Sequence, residues 1–507
     1  MGMQSTRDTL IRRIEEVSES STDLEQLSYA GASLAKLVDI KFDTLPQDDA
    51  YKMFKPNGFG NGVAAMPSEY LPAGYIKLTG HDDTAHPNHG KVMDSHGSVF
   101  NYRAPFWYKM TGNVISVSNV SLSGYVKPYA FTVEPKGFLF SAFLMGNENG
   151  KLVSKQFLAP VSTHSANNPI GNLLSNVSNT YAGFVDACLA MGYKAPTVFE
   201  WEVIELISLY QSQSGASTAL VAFNDVAPFF PKGNNNNALA DYNDASVKFK
   251  SSGYSNCALT GSGSNFAKTT DNGQECGTAD VNGNMWKIVT GLTYLAKTGA
   301  TCVNGGTNVA MPAHGLAIND VIYFGGTPTS GSTYNTGAYT VTAVTDSANF
   351  SVGTALSREI LATDGVYSPR FFRILKTTVK ANTLTSANLL TESNYDLLDL
   401  TGIVASNSGQ ILLGNGTEVV RNFSTDVNSL AYKLASTLIP TANGTSVAGT
   451  IEFGTDYFYK YLRHGLVVIV GGDWSNSATA GVLAASLRDS SSSSNSNVGG
   501  FASVSLL

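Results

Sequence analysis

Residues 465–474 read GLVVIVGGDW: an unbroken apolar run from Leu466 to Val470, closed by two glycines, an aspartate and a tryptophan. Such a run looks like a strand of a packed core, and Gly471 and Gly472 can end it before Trp474 turns back inward. The stretch that follows, SNSATAGVLAASLRDSSSSSNSNVGG, has the composition of a disordered tail. Two readings are open. Either the tract is a solvated loop, or Gly481, Val482, Leu483 and Leu487 hold it down while Val498 to Phe501 lead into a closing strand. The second reading leaves the intervening polar side chains free to vary on a fixed backbone.

Composition narrows the setting. With 507 residues, 43% of them hydrophobic, the chain has room for two to four domains and at least one large core. Charged residues are only 14% while glycine reaches 49 residues, which suits a β-rich, loop-rich surface made soluble by hydroxyls and amides. A net charge of −7 without a basic run argues against nucleic acid as a partner. The first twenty residues carry charge where a signal peptide needs an apolar segment, and no run is long enough to cross a bilayer. Gly2 to Thr6 meets the minimal myristoylation pattern, but neither a basic patch nor a second anchor supports it. Cys188, Cys257, Cys276 and Cys302 have neither metal-knuckle nor C-x-x-C spacing. Free buried thiols are expected, with a Cys257–Cys276 disulfide as the alternative.

Along the chain, residues 7–38 show helical periodicity around Leu10, Ile14, Val17, Leu24, Leu27, Leu34 and Leu37. They would form either an oligomerising bundle or ordinary amphipathic helices packed on their own domain. Four prolines make 40–75 a linker. Residues 132–145 have strand content, and helices are expected at 179–192, with Gly192 as its stop, at 197–212 and at 425–436. Residues 213–280 are mostly loop. Residues 299–359 alternate polar and apolar positions between Gly/Asn/Asp turns, the pattern of a small antiparallel β-module in which His314 is a turn residue. This module resembles a small β-domain that recurs as an insert in phage virion proteins. Further strands are expected at 465–470 and 500–506.

Three segments carry a family resemblance: APTVFEWEVIEL around Trp201, DVNGNMWKIVTGL around Trp286, and GGDWSNSATAGV…SNSNVGGF around Trp474. In this order they resemble C-type-lectin-like domains of the formylglycine-generating-enzyme type. Within that family the chain is similar to phage tail-fibre and receptor-binding proteins, including retroelement-diversified variable proteins such as the major tropism determinant. The resemblance covers about 100–298 and 360–507. It implies an α+β chain: a helical attachment segment (1–75), a lectin-like domain in two parts (76–298 and 360–507), and the inserted β-module between them. Asp280, Asn282, Gly283 and Asn284 would form a tight turn above Trp286, while Gly471, Gly472, Trp474 and Gly481 fix the C-terminal segment, 471–500. The binding face would then comprise Asp473, Ser475, Asn476, Ser477, Thr479, Ser486 and Arg488. It would continue through Ser490, Ser491, Ser492, Ser493, Ser494, Asn495, Ser496 and Asn497.

The enzymatic branch of that family uses a cysteine pair late in the domain. No cysteine follows Cys302 here, and Lys287 replaces the acid expected after the motif tryptophan. No catalytic residue, cofactor or metal is therefore expected. The densest set of potential ligands, His81, Asp82, Asp83, His86 and His89, matches no standard site and reads as a solvated loop. The resemblance implies a virion protein, made in the host cytoplasm and placed in the tail. There it would meet other tail proteins and bind a host surface protein or glycan, typically as a homotrimer. The alternative is a head-fibre, decoration or tail structural subunit without receptor contact.

Overall fold

The computed structural model describes residues 63–83, 86, 88–111, 114–173, 177–212, 245, 247–250, 257–262, 277–281, 283–403, 408–412, 414–415, 418–419, 439, 457–476 and 481–506. The helices expected at 7–38 and 425–436 lie outside them, as do Cys276, Asn282, Ser477 and Thr479. Among the described residues strands far outweigh helices, and none of the helices is long and apolar enough to cross a membrane.

The largest sheet is built around the strand Trp286–Tyr294, whose nine residues are all buried. Leu466–Val470 pairs with it antiparallel on one side and Phe372–Leu375 on the other, with Tyr395–Leu398 beyond. Outward from Leu466–Val470 come Ala485–Ser490, Tyr457–Tyr461 and Ser408–Leu412. Ala485–Ser490 runs parallel to Tyr457–Tyr461, and the short Val498–Gly499 runs parallel to the start of the central strand. The apolar run Leu466–Val470 is thus a fully buried central strand with a neighbour on each side. A register shift between Val467 and Val468 interrupts its pairing with the central strand. Gly291, within that stretch of the partner strand, has φ +98°, which favours glycine.

Two helices pack on this sheet. Thr180 caps Tyr181–Ala190 by accepting the Gly183 N–H, and Gly192 follows its end at φ +79°. Val198–Ser212 starts with a reciprocal capping box: Thr197 Oγ1 accepts the Glu200 N–H at 3.1 Å, and Glu200 Oε2 accepts the Thr197 N–H at 2.7 Å. A second, antiparallel sheet has the order Ile76–Lys77, Lys91–Met93, Val99–Arg103, Phe138–Ser141, Ser503–Ser505. The chain's last strand therefore closes a sheet begun near residue 76.

Three boundaries differ from the sequence expectation. Val63 and Met66 are buried, so the expected linker is already part of the globule before residue 75. The expected strand at 132–145 opens with a helical turn, Ala130–Val133, and becomes strand at Phe138, after the Pro135–Gly137 turn. The module expected at 299–359 is present as antiparallel strands Asn308–Ala310, Val321–Phe324, Tyr339–Asp346 and Asn349–Val352, but its sheet recruits Val366–Tyr367 as a fifth. Arg370 clamps it to the larger sheet, reaching Asp320 at 2.7 Å and Asp399 at 2.5 Å. His314, expected in a turn, follows the Pro312–Ala313 turn and is buried, its Nδ1 accepting the Leu316 N–H at 2.9 Å. Cys188 and Cys302 are buried free thiols, and Cys257 is buried.

Candidate functional site

The motif tryptophans converge on the C-terminal segment. Trp201, fully buried, donates from Nε1 to the Val482 carbonyl at 3.0 Å. The Trp286 N–H donates to Asn497 O, and the Trp474 N–H to Asn284 O. Asp280 and Asn284 hold positive φ and reach sideways: Asp280 Oδ2 accepts from Gly261 N and Thr260 Oγ1, and Asn284 brackets Ala258. Gly283 donates to Gly471 O at 2.7 Å, so the two glycine turns are one unit.

Lys287 closes that unit. Its ammonium is fully buried and donates to Gly283 O at 2.6 Å, Gly471 O at 3.3 Å and Gly472 O at 3.4 Å. Lys287 thus places a cation where carbonyls converge. A Cβ on Gly471 would lie 2.8 Å from that nitrogen and 2.5 Å from Val281 O, and φ there is +80°. Lys287→Met should cost about 2 kcal/mol of stability, because the carbonyls lose a charged donor; urea unfolding checks it, and an unchanged midpoint would contradict the clasp.

The serine tract is ordered by its backbone. The helix start at Tyr181 and Ala182 donates to Ser493 O and Ser491 O, and Ser491 N donates to Gly465 O. Thr163 Oγ1 accepts from Asn495 N at 2.8 Å and donates to Asn495 O at 3.0 Å, while Ser494 Oγ returns to Thr163 O at 2.6 Å. From the inserted module, Ser330 Oγ lies 3.0 Å from Ser491 Oγ, and Gly331 N donates to His464 O. A polar composition therefore does not make this segment loose, because its main-chain groups are paired.

Between the tract and the sheet lies a cleft of about 350 Å³. Trp286, Tyr457, Tyr459, Ile469, Ser486, Arg488, Asp489 and Val498 come from strands; Asp473, Ser475, Asn476, Asn495 and Asn497 come from the loops between them. Asp473 is 2% exposed and organises the wall: its Oδ1 accepts Ser475 N and Oγ, each at 2.7 Å, its Oδ2 accepts the Asn497 amide, and its own N–H donates to Asn476. Burial pushes the Asp489 carboxyl above its usual range, against the opposing pull of Arg488 and of the Asn495 amide at 3.1 Å.

Three residues assigned to an exposed face are buried instead. Asp473 is spent on the loop, Ser486 sits on a central strand, and Ser491 lies under the inserted module. Small hydroxyls hide at little cost once hydrogen-bonded. Ser475, Arg488, Ser492 and Ser494 are exposed; Asn476, Ser490, Ser493, Asn495, Ser496 and Asn497 are half-buried. Sequence reading missed the tyrosines and Asp489, although YFYKY at 457–461 carries a visible alternation. A larger hollow, about 620 Å³, lies on the inserted module beside Val303 and Leu361, and no residue of the three motifs lines it.

The histidine-rich loop is engaged internally: His81 Nε2 accepts the Met66 N–H and Nδ1 donates to Lys91 O, while His86 Nδ1 accepts the Asn88 N–H. Among the described residues no three His, Cys, Asp or Glu side chains are grouped to hold a metal. No protein-family model matches this chain, and a search of curated proteins finds no similar sequence.

Proposed function

We propose that the chain is a phage tail-fibre or tip adhesin with a lectin-like domain, binding a host-surface receptor through the C-terminal cleft and its serine rim. The observation that carries this reading is the pairing of a fixed main chain at 489–498 with polar side chains lining or rimming one concavity. That is the arrangement a binding surface needs if its side chains are to vary without cost to the fold. The order of the three tryptophan motifs supports the lectin-like assignment. The N-terminal segment read as residues 1–75 would attach the chain to the particle, and assembly as a homotrimer would multiply modest single-site affinities.

Purified full-length chain should adhere to susceptible cells and block infection by the particle. A head-fibre or decoration subunit would do neither, and electron micrographs of particles labelled with an antibody to the chain would then place it away from the fibre tip.

A further inference from the structure

The cleft does not end at its wall. Tyr457, Tyr459 and Tyr461 alternate with the buried Phe458 and Lys460, which places the three phenols on one side of their strand. Their rings succeed each other at 6.0 Å and 5.4 Å between centroids, and the Tyr459 and Tyr461 hydroxyls lie 3.3 Å apart. The Arg463 guanidinium covers the last ring at 4.3 Å. Parallel pairing sets Tyr459 beside Ser486, and Arg488 lines the same cleft. Neither Arg463 nor Arg488 forms a salt bridge among the described residues. Of the cleft's own carboxylates, Asp473 is held by Ser475 and Asn497 and Asp489 by Asn495, and Asp489 also feels the charge of both arginines.

We propose that this row of rings binds an acidic polysaccharide, its sugar rings packing on Tyr457 and Tyr459, which line the cleft, and its carboxylates meeting Arg488 and Arg463. The inference rests on the adhesin reading and names its ligand class. A phenol face takes the C–H side of a sugar ring while its hydroxyl stays in water, and a planar guanidinium presents paired donors to a carboxylate. The amides of Asn495 and Asn497 and the Ser486 hydroxyl suit sugar hydroxyls. A protein receptor would call instead for a desolvated apolar centre with a large anchor pocket, and this lining is mostly Asp, Ser, Asn and Arg.

The test uses the full-length chain in calorimetric titrations with polygalacturonate, hyaluronan and polysialic acid, against dextran and methyl-esterified polygalacturonate. At least one acidic polymer should bind while dextran does not, and esterification or reduction of that polymer's carboxylates should weaken it. Arg488→Gln and Tyr459→Ala should each weaken it by about tenfold or more, with unfolding midpoints confirming that both variants are folded. The proposal is overturned if none of the three acidic polymers binds, if removing the carboxylate charge changes nothing, or if both variants bind like the parent. Cell adhesion separates this from the adhesin reading. Adhesion that survives periodate but not protease keeps the adhesin and discards the saccharide, whereas absence of adhesion discards the adhesin itself.

Discussion

Trp201→Ala should lose about 3–5 kcal/mol of stability, the usual cost of emptying a fully buried large aromatic site. Trp201 has no exposure, stacks against Phe501 at 6.3 Å, and through Phe501 continues to Phe140 at 5.3 Å. It thus joins a helix, the second sheet and the chain end. Its indole also holds the Val482 carbonyl, so the loss reaches the cleft as well as the core. Trp201→Phe separates the two effects: the packing is largely kept, but a buried acceptor is orphaned at a cost of about 1–3 kcal/mol. Urea unfolding measures the totals, and amide exchange should show residues 482–487 losing protection in Trp201→Phe before the central strand does. Equal protection across both regions would mean that the indole hydrogen bond does not anchor the C-terminal segment.

What could be read from the sequence depended on whether the signal was local. The two helices declared themselves by periodicity, and Gly192 marked the first stop because a positive φ follows directly from lacking a Cβ. The run at 466–470 announced a core strand for the same local reason. The strand neighbours did not: Val498–Gly499 beside Trp286, or Ser503–Ser505 beside Phe138–Ser141, are contacts across hundreds of residues with no short-range trace. The cleft was half legible. Its glycines and tryptophans stood out, but serine is equally at home on a rim and, once bonded, under a neighbouring loop, so the burial of Ser486 and Ser491 could not be told from their type. Lys287 was visible only as a departure, because a lysine's burial depends on carbonyls that distant turns bring to it.

A buried charged cluster that the sequence does not reveal yields the second large effect. Lys194 is 3% exposed and lies 2.8 Å from Glu134 and 3.0 Å from Glu200, two carboxylates that are themselves buried. Its backbone exchanges both hydrogen bonds with Ser503, and the hydroxyls of Ser503 and Ser505 reach Glu200 and Glu134, so the cluster fastens the final strand. Burial alone would lower the ammonium's pKa, but Glu200 and Glu134 outweigh it and hold it above the ordinary lysine value; burial raises Glu200 above the ordinary carboxyl value, against the pull of Lys194. Both shifts are upward. The stability they contribute is therefore complete below the ordinary pKa of each group and fades as pH rises through its raised folded value, above the ordinary carboxyl range for Glu200 and above the ordinary lysine range for Lys194. Lys194→Met leaves two buried carboxylates facing each other and should cost about 3–5 kcal/mol near neutrality. Protonation of Glu200, whose carboxyl burial already raises, relieves the conflict, so the loss should be smaller near pH 5 than near pH 8. Urea midpoints of parent and variant at the two pH values decide it, and an equal loss at both would show that cavity and packing, rather than uncompensated charge, set the cost.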